Sequence, residues 1–234
     1  LLMLHGDAVS ALTNTARSVG ARQIFCEDIA TPEEQAEVAA LRANGLQVVT
    51  HWQASLLRPE QLPFAPDKLP DVFTRFRQQV ERAACRPDTP MPAPEQFPPC
   101  PTLPAVATEP RTPNPIVEAR SSFPYHQSAF SGAEASALAH VQRYFHSELP
   151  QHYKSTRNGL IGSDYSTKFS PWLAIGALSP RHVQAALHAH EQEYGANDST
   201  YWIWFELLWR DYFRFLHLKY GSALYSARGL SQST

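Results

Sequence analysis

The feature that most constrains the fold is a proline-rich segment near the middle of the chain. Eleven of the 20 prolines fall between residues 87 and 115. Proline fixes a backbone torsion and lacks the amide hydrogen, so this density excludes a helix or a central strand. We therefore predict an extended linker at residues 83–129, between a first domain at 1–82 and a second at 130–234.

The part before the linker alternates strand and helix patterns. Strand patterns occur in LLMLHG, RQIFCE and LQVVTHW, with a helical pattern between each pair. The second helix has the clearest bounds, with Thr31 as its N-cap and Gly45 as its stop. This alternation predicts a parallel sheet with right-handed crossovers, and hence an α/β domain. No G-x-G-x-x-G follows the first strand, so the dinucleotide-binding signature is absent.

The part after the linker has helical patterns. Ser131 and Glu134 have the spacing of a capping box at the start of one helix. A second helix is predicted from Ser179-Pro180 to Gly195, and a long aromatic one from residue 198 or 199 to Gly221. The second domain is therefore predicted to be all-α.

The composition excludes several classes of protein. A net charge of -2 excludes a uniformly basic nucleic-acid coat, although a local basic groove stays possible. Cys26, Cys85 and Cys100 form no C-x-x-C pair, which argues against a disulfide framework and a zinc site and indicates a reducing, cytoplasmic location. No run of about 18 apolar residues occurs, so no membrane span is expected.

One candidate binding site precedes the Ser170-Pro171 pair. Ser166, Thr167 and Lys168 supply hydroxyls and an ammonium just before a predicted helix start. Free N–H groups and the helix dipole attract anions there, so the segment could hold phosphate oxygens, with Ser170 as the cap. The alternative is a capped, buried helix with an exposed Lys168, and spacing alone favours it.

A second candidate site lies on the aromatic helix, where nine of the 21 residues at 200–220 are aromatic. Glu206, Trp209 and Arg210 share one helical face. A carboxylate and a guanidinium beside an indole could bind a planar ligand or a flipped base. The alternative is a core helix in which Glu206 and Arg210 pair with each other, and spacing alone favours this pair.

Ten histidines are scattered along the chain, and two of them suggest a metal site only weakly. His188 and His190 lie near a helix end, but no third ligand has a suitable spacing. We therefore predict that both are surface histidines.

Two stretches of the chain are distinctive, YKSTRNGLIGSDYSTKFSPWLAIGALSPR and DSTYWIWFELLWRDYFRFLHLKYG. Both closely resemble the photolyase/cryptochrome family, and in particular its cryptochrome DASH branch. FSGAEASALAHVQRYF is similar to the helix that opens the family's flavin domain, with Ala133 where a second glycine is usual. The N-terminal part and LPDVFTRFRQQVE resemble parts of the family's antenna domain.

The resemblance implies an incomplete Rossmann-like α/β antenna domain, joined by the proline-rich linker to an incomplete helical FAD-binding domain. The family's first strand would precede Leu1. Its later helices, which carry further flavin contacts and a tryptophan electron-transfer chain, would follow residue 221. The chain is therefore expected to form one wall of the flavin pocket.

The resemblance also implies roles for individual residues. Glu206 and Trp209 match catalytic positions against damaged DNA, and Arg210 matches a position on the same helix between flavin and DNA. Asp28 is the choice for an acidic contact to a methenyltetrahydrofolate antenna. The positions that match flavin-binding ones are Tyr153, Ser166, Thr167, Lys168, Phe169, Ser170 and Arg210.

The function implied is that of a monomeric blue-light FAD flavoprotein that repairs cyclobutane pyrimidine dimers in single-stranded or UV-damaged DNA by light-driven electron transfer. A signalling photoreceptor without repair activity is the nearest alternative. A nucleic-acid-binding module without flavin, using Trp209, Arg210 and Arg214, is another, and an inactive fragment is a third.

Overall fold

A computed structural model describes residues 4, 6–102, 123–124, 127–160 and 162–230 of the chain. Its contacts divide these residues into two compact units. The first holds the residues up to 53 with 92–102 and 220–230, and the second holds 54–91 and 123–219. The predicted domain boundaries at residues 82 and 129 stay predictions.

The first unit is a small α/β structure. Its elements, in chain order, are α1 (Ala8–Ser18), β1 (Gln23–Glu27), α2 (Pro32–Ala43) and β2 (Gln47–His51). The two strands pair in parallel, with Gln23 opposite Gln47 and Glu27 opposite His51. A small core lies between helices and strands, made of Ala16, Leu41, Leu46 and Val48. The predicted strand LLMLHG lies largely outside the described residues.

Local signals set the ends of these elements. The Asp7 carboxylate accepts a hydrogen bond from the Ser10 amide at 2.8 Å and caps α1. Thr31 occupies the cap position of α2, with Pro32 in its first turn, as predicted. Gly45 follows α2 with φ +85°, a left-handed conformation that favours glycine.

The second unit is helical. Its helices are α3 (Phe73–Arg82), α4 (Glu134–Phe145), α5 (Leu149–Thr156), α6 (Ser170–Ala174), α7 (Pro180–Tyr194) and α8 (Asp198–Tyr220). A continuous apolar core joins α4 to α8, and its largest fully buried side chains include Trp172, Tyr144 and Leu187. A parallel α/β unit and a helical unit confirm the predicted fold class.

Two of the predicted helix ends in this unit can be compared directly. α7 begins after Ser179, whose hydroxyl accepts a hydrogen bond from the Arg181 amide, and ends at Gly195 with φ +85°, as predicted. The predicted capping box at Ser131 is wrong. α4 begins two residues later, at Ala133 as its cap, and the Ser131 hydroxyl bonds that of Ser136 instead.

Residues 83–102 of the predicted linker contain neither helix nor strand, as their prolines require. Residues 128 and 129 of the linker belong to a short 3-10 helix, Ser128–Phe130. Residues 103–122 and 125–126 of the linker lie outside the described residues. Across the described ranges, none of the helices combines the length and the apolarity that crossing a bilayer requires.

Candidate functional site

The predicted anion-binding segment, residues 166–170, forms the end of a loop between α5 and α6. Ser166 and Thr167 are half-buried, and their hydroxyls make no hydrogen bond with another described residue. The Thr167 carbonyl accepts a hydrogen bond from the ring of His140, on α4, at 2.8 Å. The loop is thus held by its backbone, which leaves its hydroxyls available to a ligand.

Lys168 is the unusual residue of this segment. It is only 8% exposed, so the alternative with an exposed Lys168 is wrong. Its φ of +56° is a left-handed conformation that residues other than glycine seldom adopt. Its ammonium lies 3.7 Å from the centre of the Tyr165 ring and forms no ion pair with any described carboxylate. A buried cation in this state is suited to an anionic ligand.

The cap residue of α6 differs from the prediction. Phe169 is buried against Tyr144 and Phe145, with ring centres 5.4 and 5.9 Å away. This packing places Phe169, not Ser170, at the cap position of α6 with helical torsions, and no side chain caps the helix. Ser170 is the first residue of α6 and is exposed, so its predicted cap is wrong.

A second group of polar residues lies between α5 and α8. The Arg157 guanidinium, at the end of α5, donates to the Glu206 carboxylate at 2.6 Å. Its plane also lies 4.2 Å from the ring centre of Trp202. The predicted pair between Glu206 and Arg210 is therefore wrong, because Glu206 pairs with Arg157, a residue that the sequence did not single out.

Burial sets the ionisation of this group. Burial raises the pKa of the Glu206 carboxyl, and the nearby Arg157 opposes that rise. Burial, with the negative charge of Glu206, raises the pKa of Tyr153 to about 12. Tyr153 is therefore a neutral phenol near a carboxylate and a guanidinium, which makes it a hydrogen-bonding group and not a base.

Trp209 lies in an aromatic stack. Its ring is parallel to that of Phe73, on α3, with centres 3.7 Å apart, and it also stacks on Phe213 at 5.5 Å. Trp209 remains partly exposed. Two rings of the protein thus stack on the indole, and its exposed part is what a ligand could contact.

Arg210 contacts backbone carbonyls. Its guanidinium donates to the carbonyl of Ala54 and, at 3.0 Å, to that of Leu173 at the end of α6. Both carbonyls and α8 belong to the same unit. This side chain therefore holds α6 and the segment at residue 54 against α8, which is a structural role that the spacing did not reveal.

Sequence reasoning also missed Asp211, which is fully buried. Its two carboxylate oxygens accept hydrogen bonds from the amides of Leu56 and Leu57, at 2.8 and 2.7 Å. Burial raises the pKa of Asp211 to about 7, although the two amides and the charges of Arg210 and Arg214 lower it. An aspartate within a largely apolar helix could have indicated a buried, bonded carboxylate. Its partners could not have been predicted, because Leu56 and Leu57 lie over 150 positions away in the sequence.

Asp28 belongs to the first unit. It follows β1, and its amide donates to the carbonyl of His51 at 2.8 Å. It lines a cavity of about 260 Å³ at the carboxyl ends of β1 and β2. Other residues of this lining include Glu27, Glu34 and Arg42, so three carboxylates and one guanidinium surround the space.

The histidines and cysteines form no metal site within the described residues. His188 is exposed as predicted, but the prediction for His190 is wrong. His190 is 3% exposed and bonds the carbonyl of Phe145 at 2.7 Å. The three cysteines are free thiols.

Comparison with known proteins identifies related sequences over almost the whole chain. The DNA photolyase family model matches residues 1–95. The cryptochromes DASH from Synechocystis and from Xenopus laevis are each 39% identical to this chain. Each alignment covers 98% of this chain, and it covers 48% of the Synechocystis protein and 45% of the Xenopus laevis protein. The chain thus spans about half the length of these relatives.

Solved structures agree with the sequence comparison. The crystal structure of a Synechocystis cryptochrome superposes with a TM-score of 0.85 at 39% identity, over 95% of this chain and 47% of that one. A class III photolyase from Agrobacterium tumefaciens gives a TM-score of 0.64 at 21% identity, over 93% of this chain and 45% of the other, which is similarity of fold alone.

Proposed function

The chain belongs to the photolyase/cryptochrome family, and from that premise we propose that it is a blue-light-absorbing FAD flavoprotein similar to cryptochromes DASH. We extend the proposal to binding of single-stranded or UV-damaged DNA and to repair of cyclobutane pyrimidine dimers, the activity of a carbon–carbon lyase. It includes a monomeric state and a cytoplasmic location.

The observation that carries the flavin proposal is the buried ammonium of Lys168. Lys168 directly follows Ser166 and Thr167 in the sequence, whose hydroxyls have no hydrogen-bond partner among the described residues, and no described carboxylate neutralises its ammonium. A cation and two hydroxyls are suitable donors for the oxygens of a diphosphate. The donor set of residues 166–168 therefore fits the diphosphate of FAD.

We assign complementary tasks to the remaining residues. Phe169 anchors the segment in the core, and Tyr153, as a neutral phenol, supplies a hydrogen-bonding group. Arg157 opposes the rise that burial causes in the pKa of Glu206. When bound, FAD supplies the light absorption and electron transfer on which the family's chemistry depends. Glu206, Trp209 and Arg210 remain our candidates for the wall between cofactor and DNA, and Arg210 acts there by fixing α6.

Lys168→Ala combined with Ser170→Ala is expected to weaken FAD binding to the purified protein by about 10- to 100-fold. Hydrogen bonds to charged groups contribute about 1.5–3 kcal/mol, and 1.4 kcal/mol corresponds to a factor of ten. Flavin fluorescence quenching during titration measures the affinity. Lys68→Ala removes an exposed lysine that pairs with Asp67 and is the matched control. Equal affinity in the double variant and the control would contradict the assignment.

Trp209→Ala is expected to weaken binding of an oligonucleotide that contains a pyrimidine dimer by about 5- to 100-fold. Stacking of a base on an aromatic side chain contributes about 1–3 kcal/mol. Fluorescence anisotropy with a labelled single strand measures the affinity. Phe73→Leu removes one of the two stacking partners and keeps the indole, so it separates packing from direct contact. If Phe73→Leu weakens binding as much as Trp209→Ala does, the contact assigned to Trp209 is wrong.

We also propose that the cavity beside Asp28 binds a methenyltetrahydrofolate antenna. Carboxylates accept hydrogen bonds from the amino and ring N–H groups of a pterin, and Glu27, Asp28 and Glu34 all line this space. Its volume of about 260 Å³ lies just below the range of about 300–1,000 Å³ that is usual for small-molecule sites. The cavity therefore suits a bicyclic ring system and not the rest of the folate.

A further inference from the structure

A buried histidine contacts the anion-binding segment, residues 166–170. It has no part in the proposed binding of flavin or DNA. His140, on α4, is 5% exposed. One ring nitrogen, Nε2, lies 2.8 Å from the carbonyl oxygen of Thr167, and the other, Nδ1, lies 3.0 Å from Nη2 of Arg143. Arg143 Nη1 in turn lies 3.6 Å from the carboxylate of Asp164, in the loop that leads to the segment.

The two partners of His140 fix the position of its proton. A guanidinium only donates hydrogen bonds, so Nδ1 must accept from Arg143 and carry no hydrogen. A carbonyl oxygen only accepts, so Nε2 must carry the hydrogen that is donated to Thr167. Both contacts hold together only in the neutral Nε2–H tautomer.

The surroundings of the imidazole allow little freedom of orientation. Among the described residues, four aromatic rings lie within 6.4 Å of it, centre to centre: Phe130 at 5.1 Å, Trp172 at 5.2 Å, Phe169 at 5.6 Å and Tyr144 at 6.4 Å. These rings come from α4, from the turn before it, and from both sides of the start of α6. The donor nitrogen therefore presents a fixed direction to the loop.

The carbonyl that His140 holds belongs to the peptide bond between Thr167 and Lys168. Fixing this peptide plane restricts the rotation that sets φ of Lys168, which is +56°. A left-handed conformation at a lysine persists only where surrounding structure imposes it. Of the contacts above, the hydrogen bond from His140 is the one that acts directly on this peptide group.

We propose that His140 is a positioning residue that holds the Thr167–Lys168 peptide, and with it the Lys168 ammonium, in place through its neutral Nε2–H tautomer. Arg143 is the second part of this arrangement, because its contact to Nδ1 selects the tautomer. The relevance to a diphosphate rests on the proposed function, whereas the positioning of the peptide does not depend on it.

Protonation of the imidazole opposes this arrangement. Burial lowers the pKa of His140, and Arg143 lowers it further, while the Thr167 carbonyl and Asp164 act in the opposite direction. Among the described residues, Arg143 and Asp164 are the charged groups that act on the ring, and Tyr144 is the titratable ring packed against it. A cationic imidazole would place an N–H against the guanidinium and displace Arg143.

The direct test compares two variants of the chain by amide hydrogen exchange without flavin. His140→Leu removes the donor, and exchange of the Leu173 amide, which donates to the Phe169 carbonyl at 3.0 Å at the start of α6, is expected to accelerate about tenfold. His140→Gln keeps an amide donor and is expected to restore most of the protection. Amides of α7 serve as the internal control, because they accelerate only if the unit unfolds. Parental exchange rates in His140→Leu would overturn the proposal.

A second measurement covers the case in which His140→Leu unfolds. Nitrogen-15 spectra of the parent protein are expected to show His140 as the Nε2–H tautomer, with a pKa below the ordinary histidine range. Arg143→Met is expected to raise that pKa and to release the tautomer, a change that a merely space-filling histidine would not show. An Nδ1–H tautomer in the parent protein would overturn the proposal.

Flavin titration then separates this inference from the proposed function. If His140→Leu accelerates exchange of the Leu173 amide and also lowers FAD affinity about tenfold, both hold. If exchange accelerates and FAD affinity is unchanged, His140 positions the peptide and the diphosphate assignment fails. Unchanged exchange with weakened FAD binding would overturn the positioning role alone.

Discussion

Asp211→Ala is expected to lower the free energy of unfolding by about 3–5 kcal/mol. Both carboxylate oxygens accept backbone amides, those of Leu56 and Leu57, in a fully buried position. Truncation leaves two buried N–H groups without acceptors, at about 1–3 kcal/mol each, and adds a small cavity. Urea denaturation followed by far-UV circular dichroism measures the change. A loss below about 1 kcal/mol would contradict the anchoring role.

Asp211→Asn is the matched control, because it keeps the shape and removes the titration. Burial raises the pKa of Asp211 to about 7, above its ordinary value of 3.8. The contribution of this group is therefore fully present below about pH 4 and is lost as the pH rises through 7. The stability of the parent minus that of Asp211→Asn should fall by up to about 4 kcal/mol between pH 4 and pH 8. A difference that does not change with pH would show that the carboxylate titrates normally.

Local signals explain why much of the secondary structure could be predicted. A cap residue, a proline in the first turn and a glycine at the end act over a few neighbouring residues, as at Thr31 and Gly45 in α2 and at Ser179 and Gly195 in α7. The structure has these helices within one or two residues of the prediction. The parallel pairing of β1 with β2 follows in turn from the helix between them.

The same signals failed where packing decided the helix start. Ser170 precedes a proline, as a cap residue often does, but burial of Phe169 begins the helical torsions one residue earlier. Ser131 has the spacing of a capping box, yet α4 begins later and Ser131 contacts Ser136. In both cases tertiary contacts fixed the backbone, and a cap requires particular backbone torsions as well as the right residue.

The partners of the site residues could not be read from spacing. Glu206 and Arg210 lie one helical turn apart, which favours a pair between them. In the structure Glu206 instead pairs with Arg157, which lies 49 positions away. Arg210 donates to the carbonyls of Ala54 and Leu173, which lie 156 and 37 positions away. Such partners depend on which helices meet, and one sequence without structure does not contain that information. The resemblance identified the family, but the electrostatic roles needed the fold.

Trp172→Ala is expected to lower the free energy of unfolding by about 3–5 kcal/mol as well, through a different mechanism. Trp172 is 1% exposed and is the third residue of α6, two positions after the anion-binding segment. It packs against Phe123 and Phe130, with ring centres 5.5 and 5.7 Å away, and its Nε1–H donates to the Ser131 carbonyl at 2.7 Å. Truncation of a buried tryptophan to alanine leaves a large cavity and an unsatisfied carbonyl.

Trp172→Phe separates packing from hydrogen bonding, because phenylalanine keeps an aromatic ring and lacks the N–H donor. We expect about 1–2 kcal/mol of destabilisation for this variant, mostly from the lost hydrogen bond to Ser131. Denaturant unfolding of the two variants should therefore differ by at least about 2 kcal/mol. If both variants lose the same stability, the hydrogen bond and not the packing of the ring holds α6 in place. In that case exchange of the Leu173 amide should also be equal in the two variants, because the start of α6 would depend on the contact with Ser131 alone.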